Sequence, residues 1–205
     1  MVFESKHRQM TYLFFDTETT GLPRNYSAPT TDLDNWGAAR LVQLGYILED
    51  DKQGLISKGN LIVKPEGFVI PEAASNVHGI TTEVATEKGL PAKKVVYAFL
   101  GQARIADVLV GHNVDYDTHV VGSELVRHWG KDYIEGMPVI DTMKSSVDFC
   151  KIPSARGYKW PRLIELHNKL FGCDFEDAHD AMADISATRK CFWELVRLGI
   201  IKLNR

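Results

Sequence analysis

Tyr12-Leu-Phe-Phe15 is apolar at every position and is cut off by Asp16, after which the chain turns polar through Thr17-Glu-Thr-Thr-Gly21. A continuous apolar run of this length, without the alternation of a half-solvated strand, reads as a buried central strand. Two further segments share its design. Asp107-Val-Leu-Val-Gly111 is followed by His112-Asn113, and Pro138-Val-Ile-Asp141 again closes on an acid. Leu41 to Leu48 and Gly59 to Lys64 read as a hairpin, with Asp50, Asp51 and Gly54 as turn residues.

Helical spacing appears between these strands. Val95, Val96, Phe99, Leu100 and Ala103 mark a helix within Pro91 to Ala106, with the proline at its tolerated N-terminal end. A second helix runs through Val120, Val121, Leu125, Val126 and Trp129, and a third from Trp160-Pro161 through Leu163, Leu166 and Leu170 to Gly172. The last extends from His179 to Leu198, capped by Gly199. Three leading strands followed by alternating helix and strand predict one α/β domain over residues 1–205, with its core over about 11–199 and no internal repeat. Leu22 to Gly37, carrying Pro23, Pro29, Asp32, Asp34 and Asn35, reads as a long surface loop.

Composition excludes several classes. With 44% hydrophobic and 25% charged residues in 205, and 16 Gly and 8 Pro, the chain is neither fibrous nor disordered. No apolar stretch approaches the roughly 18 residues of a spanning helix, and Asp16 interrupts the only N-terminal candidate for a signal peptide. No membrane association and an intracellular location are therefore expected. Cys150, Cys173 and Cys191 are widely spaced and odd in number, so all three are expected as reduced core thiols. A net charge of −3 argues against coating long nucleic acid by charge alone. The segment Lys144–Arg162 departs from this balance, with five bases (Lys144, Lys151, Arg156, Lys159, Arg162) against Asp148, and reads as a solvated loop or a phosphate-steering strip.

Ligands in sheets of this kind gather at the carboxyl ends of strands, and acids and histidines cluster at those ends. Asp16 and Glu18, two apart on extended chain, project from one face and can share one cation. Oxygen ligands suit Mg²⁺ or Mn²⁺. In Gly111-His112-Asn113-Val-Asp115-Tyr116-Asp117, the two acids lie about 200° apart on a helix, so one faces the site while the other caps the helix or faces solvent. An alternative zinc set of His112, Asp115 and His119 fits no familiar helical ligand spacing. In Ala178-His179-Asp180-Ala-Met-Ala-Asp184, Asp184 falls on the otherwise core-facing stripe Ala181, Thr188, Cys191 and Leu195, where an uncompensated carboxylate is costly. Asp180, one turn earlier, shares roughly that face or serves the helix N-terminus. His179 is the histidine nearest these acids in sequence and titrates near neutrality, as a general base must.

Taken together, Phe-Asp16-Thr-Glu18-Thr-Thr-Gly21-Leu22, His112-Asn113-x-x-Tyr116-Asp117 and His179-x-x-x-x-Asp184 resemble the DnaQ-like 3′–5′ exonucleases of the DEDDh type, and within them the epsilon-type proofreading domains of DNA polymerase III. Val77-His78-Gly79-Ile80-Thr81 is similar to the segment that lies beside the terminal nucleotide in those domains. The resemblance implies a ribonuclease H-like three-layer fold, with a five-stranded mixed sheet ordered 3-2-1-4-5, strand 2 antiparallel, and helices on both faces. It selects Asp117 over Asp115 and Asp184 over Asp180. It implies two Mg²⁺ or Mn²⁺ ions held by Asp16, Glu18, Asp117 and Asp184, with His179 as general base. The implied activity is release of nucleoside 5′-monophosphates from 3′ ends of DNA, as single strands or frayed termini. Leu22 would wedge against the last base, the backbone around Thr19 and Thr20 and the Glu18 carboxylate would receive the terminal 3′-hydroxyl, and Gly21, His78, Asn113 and Tyr116 would complete the contacts to substrate. An exoribonuclease of oligoribonuclease or ribonuclease T type is the alternative in the same chemistry, and an idle nucleic-acid-binding module is disfavoured by the complete set of acids. The Pro23–Ala39 excursion is longer than in minimal members. The short stretch after the last helix leads us to expect a stand-alone enzyme, with any polymerase docking on the surface rather than through a tail.

Overall fold

A computed structural model describes residues 9–175 and 181–203. Strand β1 (Thr11–Thr19) is central, and β2 (Leu41–Asp50) and β3 (Leu55–Lys64) follow as an antiparallel meander. Asp50 closes the hairpin, its Oδ1 accepting the N–H groups of Lys52 and Gly54 at 2.8 Å each. Helices α1 (Glu72–His78) and α2 (Thr82–Lys88) precede the two-residue strand β4 (Leu90–Pro91) and helix α3 (Ala92–Ala103). Then come β5 (Val108–Gly111), α4 (Val114–Trp129), β6 (Val139–Asp141), and the short helices α5 (Thr142–Ser145) and α6 (Val147–Cys150). A small hairpin of β7 (Pro153–Ser154) and β8 (Gly157–Tyr158), then α7 (Leu163–Phe171) and α8 (Ala181–Arg197), complete the chain.

The sheet is six-stranded in the order β4-β3-β2-β1-β5-β6. The expected five-strand order with an antiparallel second strand is present, and the count is corrected by β4. Leu90 and Pro91 pair in parallel with Val63 and Lys64 at the sheet edge, where a proline, lacking an N–H, is tolerated. Two residues are too short a run to show strand periodicity.

Strand alternation builds the three layers. Leu13 and Phe15 of β1 face α3 and α4, packing with Val96, Phe99, Val120 and Leu125. Tyr12 and Phe14 face the other way, onto α7 and α8, with Leu166, Ile185, Phe192 and Leu195. Helix α8 sits close on that face because β2 has Gly45 there: a Cβ at Gly45 would lie 2.5 Å from Ile185 Cδ1 and 3.3 Å from Ala181 Cβ.

Several segments differ from expectation. Strand β3 begins at Leu55 rather than Gly59, because its first residues are exposed and carry no apolar alternation. Helices α1 and α2 bury only Ala85 fully, with Ala74 and Val84 partly buried against the same cluster, too few apolar positions to read as a stripe. The 22–37 loop is anchored rather than wholly superficial. It ends in a 3₁₀ turn (Trp36–Ala38), where Trp36 is 0% exposed and its indole Nε1–H donates to Ala28 O at 3.2 Å. The Lys144–Arg162 strip contains the end of α5, all of α6 and the β7–β8 hairpin rather than loop alone. Cys150 and Cys191 are buried as expected, whereas Cys173 is exposed just after α7. Among the described residues no helix is long and apolar enough to cross a membrane.

Candidate active site

Asp16 and Glu18 stand on the α8 side of β1, on the same parity as Tyr12 and Phe14, and Asp184 comes from the first turn of α8. One carboxylate oxygen from each of the three lies within 4.8 Å of those of the others, and all three residues are half-buried. A register shift between Glu18 and Thr19 marks a bulge where β1 leaves the ladder with β2, a common device for re-aiming side chains at a site.

Asp117, in the first turn of α4, reaches the opposite side of β1. Its Oδ1 accepts the Thr17 N–H at 3.0 Å and the Thr17 hydroxyl at 2.6 Å. Burial pushes Asp117 up to about 7 despite those two hydrogen bonds. Asp16 is held well above the ordinary carboxylate range, first by burial and then by the charges of Asp117, Glu18 and Asp184. Asp117, Glu18 and Asp184 thus press on the buried Asp16, an arrangement costly in charged form unless a cation compensates it.

The backbone after Glu18 is pinned from several sides. The Tyr116 hydroxyl donates to Gly21 O at 2.8 Å and lies 2.6 Å from Thr19 Oγ1. The Thr20 N–H donates to Arg40 O at 2.9 Å, and Thr20 Oγ1 accepts the Arg40 N–H at 2.9 Å. Gly21 adopts φ +152°, which disfavours a side chain, and Leu22 after it is 65% exposed. His78 closes α1. Its Nδ1 accepts the Ile80 N–H at 3.1 Å, and Nε2 is buried without a hydrogen-bond partner among the described residues. Burial lowers its pKa, opposed by the Thr19 carbonyl.

Asn113 takes the left-handed conformation (φ 72°) before α4, and its N–H donates to Asp141 Oδ1 at 3.1 Å. The same oxygen accepts from Met143 and Lys144 N–H at 2.9 and 3.3 Å, so Asp141 sets the Asn113 backbone and caps α5 together. Sequence reasoning treated Asp141 only as a strand end and missed this role, as it missed Thr17 as the partner of Asp117. In both cases the signal was a polar residue at the carboxyl end of an apolar strand.

The alternatives separate cleanly. Asp115 is exposed and pairs with Lys144, away from the other acids. The three proposed zinc ligands do not converge: both ring nitrogens of His112 are engaged, with Thr142 Oγ1 at 3.0 Å and Pro161 O at 2.9 Å, and His119 Nδ1 contacts Asp115 O at 2.6 Å. His179 and Asp180 lie outside the described residues.

Comparison with known proteins is decisive on one point: the exonuclease family model (RNase_T) matches residues 13–192. The chain belongs to that family. The exonuclease match spans β1 through most of α8 and so includes every acid of the cluster. Among curated relatives, the PolC-type DNA polymerase III of Pediococcus pentosaceus is 27% identical over 177 residues, 86% of this chain and 11% of that protein. The DNA polymerase III subunit epsilon of Treponema pallidum is 26% identical over 119 residues, 58% of this chain and 48% of that protein. The chain therefore spans less than half the length of either relative. In architecture it resembles E. coli exonuclease I, solved in complex with a dT13 oligonucleotide, at a TM-score of 0.71 and 23% identity over 92% of this chain and 41% of that one.

Proposed function

We propose that this exonuclease-family chain is a single-domain, metal-dependent 3′–5′ exonuclease that hydrolyses terminal phosphodiester bonds of DNA, on single strands or frayed 3′ ends, to release nucleoside 5′-monophosphates. The observation that carries the reading is the convergence of Asp16, Glu18 and Asp184 within 4.8 Å of one another, with Asp117 held across β1 by Thr17. The donor set fits divalent cations. Carboxylate oxygens are the ligands Mg²⁺ and Mn²⁺ prefer, and burial together with the neighbouring charges of Asp117, Glu18 and Asp184 makes a charged Asp16 costly without a cation. Asp16, Glu18, Asp117 and Asp184 would hold two ions. Bound there, the ions would supply Lewis-acid stabilisation of charge developing on the phosphate oxygens.

The protein's own groups do the rest. His179 would take the proton of the attacking water. Leu22 would stack against the terminal base, with His78 beside the same nucleotide. The Thr19–Gly21 backbone and Glu18 would receive the 3′-hydroxyl, on a turn held in place by Tyr116. Asn113 would face the scissile phosphate, its backbone fixed by Asp141.

End-labelled DNA and RNA oligonucleotides of one sequence, incubated with Mg²⁺, Mn²⁺ or a chelator, test this. Stepwise shortening of DNA from the 3′ end that stops on chelation is expected. Faster digestion of RNA would assign the exoribonuclease alternative, and digestion under exhaustive chelation would refute the metal site. His179→Ala should lower kcat and flatten its dependence on pH near neutrality, and a wild-type profile would remove the general-base role.

A further inference from the structure

Beside the acids lies a cavity of about 470 Å³ whose walls include Tyr26, Trp36, Asn113, Tyr116, Lys144 and Trp160. Its volume is within the roughly 300–1,000 Å³ of small-molecule pockets. Asn113 and Tyr116 tie it to the candidate site, since Tyr116 is adjacent to Asp117 in the chain and bonds to Gly21. The cavity includes neither Leu22 nor His78, which are assigned above to the terminal nucleotide.

The walls differ in rigidity and exposure. Trp36 is fully buried, stacked on His119 at 5.2 Å between ring centroids, and Tyr116 is fixed through its hydroxyl. Against this fixed wall stand two aromatics with open faces. Tyr26, from the long excursion, is 52% exposed with its ring 6.2 Å from that of Tyr116, and Trp160, just past the β7–β8 hairpin, is 62% exposed. A tryptophan so exposed forgoes most of its burial energy, and exposed aromatics that share a pocket mark a recognition surface. The polar part of the lining is an ion pair. Lys144 and its ion-pair partner Asp115 both line the cavity, and Trp160 belongs to the strip that carries five bases against one acid, of which Lys159 and Arg162 pair with Glu165. Flat, exposed aromatic faces match an unpaired nucleobase.

We propose that Tyr26 and Trp160 form a stacking pocket for the base next to the nucleotide being removed. The inference rests on the nuclease reading above and assigns the Pro23–Ala39 excursion a purpose: it carries Tyr26 to the pocket, on a loop anchored by Trp36. Stacking tolerates every base, so the pocket confers grip on single strands rather than sequence preference.

The test compares a thymidine octanucleotide with thymidine 5′-(p-nitrophenyl phosphate), which has one nucleoside and no neighbour. Kd for the 5′-labelled octanucleotide is read by anisotropy under chelation, and KM and kcat for both substrates are read with Mg²⁺. Trp160→Ala and Tyr26→Ala should each raise Kd and KM for the octanucleotide about tenfold, with a change of no more than about twofold on the ester. Trp160→Phe, which keeps an aromatic face, should recover most of the affinity, and unchanged melting temperatures would exclude misfolding. Octanucleotide constants unaltered in both alanine variants, or equal losses on the two substrates, would overturn the pocket. A wild-type protein inactive on both substrates would overturn the nuclease reading, and the Kd comparison would still decide the pocket.

Discussion

Gly45 pairs with Asp16 across the β1–β2 ladder and holds α8 close enough for Asp184 to meet Asp16 and Glu18. Gly45→Ala therefore tests whether helix seating controls the acid cluster. The new methyl would be placed 2.5 Å from Ile185 Cδ1 and 3.3 Å from Ala181 Cβ, closer than van der Waals contact permits. Overpacking of this kind costs about 1–3 kcal/mol, offset by roughly 0.4–1 kcal/mol for the reduced freedom of the unfolded chain. A net loss of about 1–2 kcal/mol is expected. The colliding atom is the tip of a side chain, so Ile185→Val, which removes it and by itself costs about 0.5–1.5 kcal/mol, should relieve the clash. The double variant should be at least about 1 kcal/mol more stable than the sum of the two losses, a coupling typical of residues in contact. Urea unfolding under chelation gives the stabilities, and a Mg²⁺ titration of nuclease rate follows the cluster. Gly45→Ala should require more Mg²⁺ for half-maximal rate, and Ile185→Val added to it should restore the wild-type requirement. Additive stabilities, or a Mg²⁺ requirement unchanged by Gly45→Ala, would refute the reasoning.

Three other perturbations reach different parts of the site. Asp16→Ala should abolish turnover while leaving the chelated protein at least as stable as wild type, because it relieves acid crowding, and a lowered urea midpoint would contradict this. Asp117 is pushed from 3.8 up to about 7 in the folded chain, so the native state binds more protons than the unfolded state between those values. Under chelation, stability should fall as pH rises from about 4 to 7, whereas Asp117→Asn should lack that decline in urea midpoints. Glu124 is 1% exposed and pairs with Arg40 at 2.7 Å, whose backbone brackets Thr20. Glu124→Ala should cost roughly 3–5 kcal/mol by stranding a partly buried guanidinium. Adding Arg40→Ala should recover part of this, and strict additivity in the cycle would deny the pairing.

The sequence alone determined the layers and the placing of acids at the ends of the strands. Uninterrupted apolar runs at Tyr12–Phe15 and Val108–Val110 can be satisfied only by burial on both faces, and the spacing of Val95, Phe99 and Ala103 suits only a helix. Acids at the ends of those elements were equally legible, because strand and helix periods fix which side chains share a face. Tertiary structure decided what periodicity does not encode. Asp115 and Asp117 are alike as local patterns, and they part only because Thr17 lies opposite one and Lys144 opposite the other. The edge strand β4, the burial of Trp36 and the gap at Gly45 filled by Ile185 arise from contacts between residues distant in sequence. A short segment has no intrinsic preference strong enough to announce such partners, since its energy comes from the surface it meets after the sheet and helices have closed around it.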